Sequence, residues 1–399
     1  MIFKIFSSIL KNNRKQTLMN NLVIIGASEL QLPLIKRANE LGYSTYVFAW
    51  KDGAVGLDIM TKFYDIDIKE VDKIYDIAKE LHPVGVCSIA SDLANITVQK
   101  LASRLNLPHN SAHCLKVSTN KYAMRKELFK HNILCPKFLI TDSENVDVRD
   151  MKLPIIVKPT DRSGSRAITK VNNILELPNA IRKACDISFE KKAIVEEFIG
   201  GGNEYSAECI SQNGKHYLLN ITKKFTTGSP HFIETGHLEP AGLDAEDIEK
   251  IKDTVFRALY ALDIKIGASH CEFKFDHTDK VVHIIEIGSR MGGDFIGSSL
   301  VGFSTGYDFL KMVIDCAVGN DILVKKILSP VYPYVCVKYC FDYDDIKLIE
   351  SIDSKNIIDR HINKLDNYEF KNVLDSSTRY GYAIMHFDKK EEALEVLNK

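Results

Sequence analysis

Short apolar stretches alternate with longer amphipathic stretches along the N-terminal part of the chain. The apolar stretches predict buried strands, and the 3.6-residue periodicity between them predicts helices. In chain order, these elements are predicted at residues 22–27, 29–41, 44–50, 63–68, 71–81, 84–90 and 94–105. Strand–helix alternation of this kind is typical of a doubly wound parallel sheet. We therefore expect an α/β domain over residues 20–115.

The pattern then changes to one helix followed mainly by strands. A continuous helix is predicted over residues 116–131, with Ser118 or Thr119 as its N-cap. The polar stretch 231–240 predicts a surface loop, and residues 212–214 predict a hairpin turn. Further strands are predicted at 138–141, 155–158, 167–171, 193–198, 204–211, 215–222, 268–275, 281–287, 334–340 and 379–386, and further helices at 177–185, 246–262, 306–319 and 390–397.

These elements predict several structural units. The predicted units are an extension at 1–19, the parallel-sheet domain at 20–115, a central domain at 116–330 and a small C-terminal α+β domain at 331–399. The central domain is expected to divide into a small subdomain at about 135–205 and a larger one at about 206–330. The first 19 residues are basic and lack the apolar core of a signal peptide. They are interpreted as a frayed extension, or as the result of a start placed before Met19.

Composition excludes several classes of function. A net charge of −1 gives no electrostatic reason to bind nucleic acid or an anionic membrane. No apolar run approaches the roughly 20 residues of a membrane helix. The nine cysteines form no CxxC pair, which predicts buried thiols in a cytoplasmic protein. The turn after the first strand lacks the glycines of a dinucleotide-binding fingerprint, which argues against a dehydrogenase.

Two lysines and a polar loop are candidates for binding nucleotide phosphates. Lys158 ends an apolar strand, where a lysine needs an anionic partner, and Lys121 near a helix start offers a second cation. The loop after Lys158 contains Ser163, Gly164 and Ser165, whose backbone and hydroxyl groups suit phosphate oxygens. Taken singly, Lys121 is typical of a solvated helix and the loop of a surface turn, but their combination favours a phosphate site.

Two glutamates on a predicted strand pair are candidates for binding Mg²⁺. Glu272 and Glu286 are each flanked by apolar residues, so an inward carboxylate at either position needs a cation. Mg²⁺ accepts a few carboxylate oxygens together with phosphate oxygens. Arg290, just beyond the second strand, could stabilise a tetrahedral oxyanion. Structural ion pairs are the alternative interpretation of both glutamates.

Two further polar segments are candidates for substrate contacts. Residues 196–199, at the end of a predicted strand, could contact the adenine base of a nucleotide. Glu204, beyond three glycines, could accept hydrogen bonds from ribose hydroxyls. In the polar stretch 231–240, Glu234 could bind an amine and His237 could orient substrate or accept a proton. The predicted adenine segment is Glu196, Glu197, Phe198 and Ile199.

The order of these segments resembles that of the ATP-grasp superfamily over about residues 20–330. The resemblance implies an ATP-grasp fold that joins α/β and α+β parts, with an N-terminal doubly wound sheet and a small C-terminal α+β domain. It implies ATP and Mg²⁺ as cofactors, with Mn²⁺ as an alternative metal. Phosphate binding is implied for Lys121 and Lys158, metal binding for Glu272 and Glu286, and adenine or ribose contacts for residues 196–199 and 204.

Within the superfamily, the segment from Glu286 to Asp294 and the stretch from Glu234 to His237 resemble L-amino-acid (dipeptide) ligases. The resemblance implies substrate contacts for Glu234, His237 and Arg290. We expect a cytoplasmic ligase that joins a carboxylate to an amine through an acyl phosphate. A homodimer is a common state of such ligases. The alternatives are a purine-pathway or carboxylation enzyme, similar to glycinamide ribonucleotide synthetase or biotin carboxylase, and an ATP-binding module without turnover. Gly288-Ser289 stands where those other branches have Asn-Pro.

Overall fold

The computed structural model describes residues 20–164, 166–229, 232–363, 373 and 375–399. The predicted extension at 1–19 and the predicted phosphate ligand Ser165 lie outside these ranges. Within the described part of the chain, no helix is both long and apolar enough to cross a membrane.

The N-terminal residues form a parallel four-stranded sheet in the order β3-β2-β1-β4. Its central strand is buried throughout, because helices cover both faces of the sheet. The strands are β1 Asn21–Ile25, β2 Ser44–Ala49, β3 Lys62–Asp65 and β4 Gly85–Cys87, and the helices are α1 Leu32–Glu40, α2 Val71–Leu81 and α3 Asp92–Arg104. The predicted α/β arrangement of this region is confirmed.

Two short helices follow where the sequence predicts one. Helix α4 spans Ala112–Thr119 and α5 spans Lys121–Lys130. Asn120 between them has an extended backbone, and its side chain accepts a hydrogen bond from the backbone N–H of Ala123. The prediction of one continuous helix capped by Ser118 or Thr119 is therefore wrong. Apolar periodicity continues through the break, whereas the cap depends on the backbone conformation of a single residue.

A small antiparallel sheet comes next, in the order β5-β8-β6-β7. One helix packs on it and shares its apolar core. The elements are β5 Phe138–Thr141, β6 Ile155–Pro159, β7 Thr169–Val171, α6 Leu177–Ile187 and β8 Ala193–Glu197.

The rest of the described chain builds one eight-stranded antiparallel sheet, in the order β13-β12-β9-β10-β11-β14-β16-β15. The C-terminal strands continue the central sheet, because β14 pairs with β11. The domain limits given by the sequence stay predictions. The strands are β9 Asn203–Gln212, β10 Lys215–Thr226, β11 Glu234–Glu239, β12 Gly267–Asp276, β13 Val281–Gly288, β14 Tyr334–Cys340, β15 Ile357–Ile362 and β16 Gly381–Phe387, and the helices are α7 Ala245–Ala261, α8 Val301–Thr305, α9 Phe309–Val318, α10 Tyr343–Ser351 and α11 Lys390–Leu397.

Strand β11 corrects the prediction of a surface loop at 231–240. His237, Leu238 and Glu239 are buried, and the strand joins β10 to β14. Its buried face carries polar side chains, so the strand lacks the apolar alternation that would have identified it.

The N-cap of α5 provides a test of this region. Replacing Asn120 with alanine removes the hydrogen bond to the first turn, so we expect the free energy of unfolding to fall by about 1 kcal/mol. Urea denaturation measures the change, and Asn145→Ala at an exposed asparagine is the matched control. Equal stability of the two variants would contradict the assigned cap.

Candidate active site

A cleft between the small sheet and the large sheet collects most of the predicted site residues. His237 is not among the described residues that line it, and Ser165 lies outside the described ranges. The predicted residues that line the cleft are Lys121, Lys158, Ser163, Gly164, Glu196, Glu197, Phe198, Ile199, Glu204, Glu234, Glu272, Glu286 and Arg290.

Lys158 is held in the cleft wall by a buried carboxylate. Its Nζ lies 2.8 Å from Oε2 of Glu196, whose Oε1 accepts a hydrogen bond of 2.6 Å from Nε of Arg125. Burial opposes ionisation of Glu196, but Arg125 and Lys158 outweigh it and lower its pKa to about 2. Glu196 therefore anchors two cations through its side chain, while its nucleotide contact stays a prediction. The sequence analysis missed Arg125, which is fully buried on α5.

The segment after β8 forms another part of the cleft wall. The ammonium groups of Lys170 and Lys274 lie 4.0 Å and 4.9 Å from the centre of the Phe198 ring. Lys274 also donates to the carbonyl of Ile199. Two ammonium groups over one aromatic ring place positive charge in this part of the cleft, which suits an anionic ligand such as a nucleotide.

Lys121 connects the phosphate loop to a candidate metal ligand. It is the first residue of α5, directly after the capping residue Asn120. Its Nζ donates to the carbonyl of Arg162 at 2.8 Å and to Oε1 of Glu286 at 2.7 Å. The cation is therefore positioned between the predicted phosphate loop and the β13 carboxylate.

The second candidate metal ligand lies directly opposite the first. Glu272 on β12 pairs with Glu286 on β13, so the two side chains share the face that lines the cleft. Glu272 accepts hydrogen bonds from Lys224 and His270. Burial opposes its ionisation, but Lys224 and His270 outweigh that effect and hold its pKa well below the usual range.

His270 is itself buried between two carboxylates. Its Nδ1 lies 2.7 Å from Glu208 and its Nε2 lies 3.3 Å from Glu272. Burial lowers the pKa of His270, but the two glutamates outweigh burial and raise it to about 9. A Cβ added at Gly292 would lie 2.7 Å from His270 Nδ1, so only glycine lets the loop after β13 pack here.

Three residues at this site were missed by the sequence analysis: Lys224, His270 and Glu208. Lys224 lies on β10, where Lys223 interrupts any alternation of polar and apolar residues. For Glu208 and His270 the signal was the period-two alternation of polar and apolar residues in β9 and β12, for example in Glu204–Glu208. That alternation predicts a polar sheet face, which here is the cleft face.

Arg290 is oriented by the first residue of helix α3. Its Nε and one terminal nitrogen donate to the two oxygens of Asp92, at 2.8 Å and 3.0 Å. Burial lowers the pKa of Arg290, but Asp92 outweighs burial and raises it above the usual range. A Cβ at Gly288 would lie 3.2 Å from the Asp92 carboxylate, so glycine gives this pair room. The guanidinium therefore stays charged, with Asp92 at the start of α3 as its partner.

His237 lies behind the lining of the cleft, on the same strand as Glu234. It is 1% exposed, and its Nε2 lies 3.6 Å from Asp294. Burial lowers its pKa, so the imidazole is neutral near pH 7. The roles of Glu234 and His237 toward substrate stay predictions.

The donor set of the cleft fits Mg²⁺ held jointly with phosphate oxygens. Among the described residues, no group of three or more His, Cys, Asp or Glu side chains is arranged to hold a metal ion by itself. Glu272 and Glu286 offer two hard oxygen donors on one wall, and Mg²⁺ commonly takes one or two carboxylates with the rest from phosphate and water. Binding as a metal–nucleotide complex therefore suits this site.

Comparisons with known proteins identify the central fold. The family model of the ATP-grasp domain matches residues 151–298. The chain is 23% identical over 286 residues to the carbamoyl phosphate synthase large chain of Thermoanaerobacter sp. (strain X514), a match that covers 69% of this chain and 26% of that relative. The chain thus spans about a quarter of the length of such relatives.

Two solved structures resemble nearly the whole chain. The L-amino acid ligase from Bacillus licheniformis matches with a TM-score of 0.80 and 22% identity, covering 95% of this chain and 96% of that chain. The phosphoribosylglycinamide synthetase from Anaerococcus prevotii matches with a TM-score of 0.74 and 22% identity, covering 95% and 97%. At these identities the similarity establishes the fold, and it confirms the predicted fold class.

The anchor of Lys158 makes a prediction about stability. Replacing Glu196 with glutamine leaves Lys158 and Arg125 buried without their carboxylate, so we expect the free energy of unfolding to fall by about 3 kcal/mol at pH 7. Glu197→Gln, at the half-buried neighbour, is the matched control. Urea denaturation measures both variants, and equal losses would contradict the anchoring role.

The free energy of unfolding of wild type and of Glu196→Gln should also depend differently on pH. The folded-state pKa of Glu196 lies below its usual value of 4.5, at about 2, so its contribution is fully present above pH 4.5. The contribution is lost as the pH falls through about 2. We therefore expect the stability difference between wild type and Glu196→Gln to be constant from pH 5 to 7 and to narrow in acid.

Proposed function

We propose, from the match of residues 151–298 to the family model of the ATP-grasp domain, that the chain is a ligase that uses ATP and Mg²⁺ to join a carboxylate to an amine. The observation that carries the proposal is the Glu272–Glu286 pair, which faces the same cleft as Lys121 and Lys158. Carboxylates on one wall and lysines beside a glycine-containing loop suit a metal–nucleotide complex. The similarity of the overall fold to an L-amino acid ligase supports an amino acid as one substrate.

In the first step, the substrate carboxylate attacks the γ-phosphorus of ATP, and ADP leaves. Phosphoryl transfer of this kind depends mainly on positioning and on neutralising charge. Lys158 and Lys121 neutralise phosphate oxygens, and the backbone around Gly164 covers them. Glu272 and Glu286 would hold Mg²⁺, which supplies further neutralisation of the phosphate charge. The product is an acyl phosphate.

In the second step, the uncharged amine attacks the acyl carbon, and the tetrahedral intermediate releases phosphate. The side chain of Arg290 is 14% exposed and is fixed by Asp92, so its charge is oriented before the reaction begins. A preorganised cation in a site of low polarity stabilises a developing oxyanion strongly. We assign Arg290 to this step. The amine must lose a proton before attack, and we assign that proton to the neutral imidazole of His237, on the strand that also carries Glu234.

A purine-pathway or carboxylation reaction is the second candidate. The similarity to a carbamoyl phosphate synthase large chain and to phosphoribosylglycinamide synthetase supports this second candidate. In that case the activated group would be bicarbonate, or the amine would belong to a phosphorylated sugar.

The experiment that tests the function is a substrate panel. Purified protein with ATP and Mg²⁺ is offered all pairs of the twenty L-amino acids, and bicarbonate with single amines, while phosphate release is measured. We expect phosphate release with an amino-acid pair and a product mass equal to the sum of both minus water. Phosphate release with bicarbonate and an amine, but with no amino-acid pair, would support the second candidate. Nucleotide binding without phosphate release under any condition would contradict the ligase.

The metal assignment makes a separate prediction. Glu286→Gln keeps the shape of the side chain but removes a charged ligand, so we expect the Mg²⁺ concentration for half-maximal ADP formation to rise more than about 10-fold. Glu249→Gln, at an exposed position of α7, is the matched control. An unchanged Mg²⁺ requirement, with the protein folded, would remove Glu286 from the metal site.

A further inference from the structure

His270 connects a candidate metal ligand to a carboxylate that is buried beneath the cleft. The ring lines the cleft, and its Nε2 lies 3.3 Å from Oε1 of Glu272. Its Nδ1 lies 2.7 Å from Oε1 of Glu208, on the neighbouring strand β9. Carboxylate oxygens accept hydrogen bonds, so both ring nitrogens donate. The ring thus links the two glutamates, although neither of the proposed reaction steps uses it.

Glu208 holds the far side of the His270 ring in a fixed place. It is fully buried, and it is the direct cross-strand partner of His270. Oε1 of Glu208 also accepts a hydrogen bond of 2.9 Å from Oγ of Ser206. A Cβ added at Gly292 would lie 2.9 Å from Oε2 of Glu208, so the loop after β13 packs closely over the pair. The ring is therefore held by two adjacent strands and covered by one loop.

The near side of the ring fixes the orientation of the Glu272 carboxylate. Lys224 and His270 both donate to the same oxygen of Glu272, Oε1. Two donors on one oxygen restrict the rotation of the carboxylate about its terminal bond. The second oxygen, Oε2, is then the one that a metal would bind.

Lys224 by itself does not fix this carboxylate. Its Nζ also lies 3.6 Å from Oε1 of Glu204 and 3.6 Å from Oε1 of Glu234. A lysine is a point charge on a flexible stem, so among three carboxylates it can turn from one to another. The imidazole is held at its other nitrogen, and it is therefore the donor with a fixed direction.

Stability alone does not account for the buried pair of His270 and Glu208. Burying two charged groups costs solvation, and apolar residues of similar volume often stabilise a protein as well or better. In metal sites, groups behind the ligands orient them, and losing such a group typically lowers metal affinity or activity about 10- to 100-fold. The place of the pair, directly behind Glu272, matches that task.

We propose that His270 is a positioning residue for the metal ligand Glu272, and that Glu208 orients the His270 ring. The inference rests on the proposed function, which uses ATP and Mg²⁺, and it adds to the metal site two residues that do not contact the metal. The three side chains would act in sequence: Glu208 holds the ring, the ring holds Oε1 of Glu272, and Oε2 of Glu272 binds Mg²⁺.

Metal binding without turnover tests the proposal. Mn²⁺ is the probe, because the electron paramagnetic resonance signal of the free ion is lost on binding. A non-hydrolysable ATP analogue is kept at fixed concentration, and its protein-free mixture with Mn²⁺ gives the baseline. We expect His270→Asn to weaken Mn²⁺ binding about 10- to 100-fold, because the asparagine amide reaches Glu208 but offers no donor to Glu272. His216→Asn, at a half-buried histidine on β10 outside the cleft, is the matched control.

Two further variants separate positioning from a general loss of structure. His270→Gln restores a donor near the position of Nε2, so we expect it to recover part of the lost affinity. Glu208→Gln removes the charge that holds the ring, and we expect it to weaken Mn²⁺ binding about 10-fold. Urea denaturation is measured for each variant. If His270→Asn does not fold, Glu208→Gln provides the same comparison.

A double-mutant cycle decides whether the effect passes through Glu272. Glu272→Gln removes the charged ligand, so adding His270→Asn should weaken Mn²⁺ binding no further, whereas independent effects would add. Additive losses, or unchanged Mn²⁺ binding in folded His270→Asn, would overturn the proposal and leave the ligase function standing. A wild type that binds no Mn²⁺ beyond the baseline would contradict the proposed function itself, and the inference with it.

Discussion

The carboxylate of Glu196 is the constraint on which the cleft depends, because it binds two buried cations from different segments. Lys158 belongs to the small sheet, and Arg125 belongs to the helix that precedes it. Arg125 also donates to the carbonyl of Ile285, the residue before Glu286 in the large sheet. Removing one member of such a set leaves a charge unpaired in a medium of low polarity. The two sheets are therefore held where Lys158 and Glu286 face the same cleft.

The other charged groups of the cleft follow the same rule of mutual compensation. Lys121 pairs with Glu286, Lys224 pairs with Glu272, and Arg290 pairs with Asp92 at the start of α3. In the proposed ligase, the lysines can exchange their glutamate partners for phosphate, and the glutamates can exchange their lysine partners for Mg²⁺. Buried charges that are costly without a partner are thus kept in place until substrates arrive.

Much of the fold could be predicted because its elements have strong local signals. Helix α2, strand β14 and helix α11 begin and end at the predicted residues. Their apolar positions repeat with a clear period, and their ends carry turn-forming residues. The break at Asn120 was missed, because one residue changes its backbone conformation without disturbing the apolar pattern. Strand β11 was missed, because its buried face is polar.

The sequence by itself identified Lys158, Glu272 and Glu286 as candidate site residues, because charged residues inside apolar strands need partners, and all three line the cleft. Tertiary structure alone decided which partners they have. Arg125 anchors Glu196 across 71 positions of the chain, and Asp92 orients Arg290 across 198. Local periodicity does not predict such ion pairs, because they form only when separate elements pack together and bring charged residues that are distant in the sequence into contact.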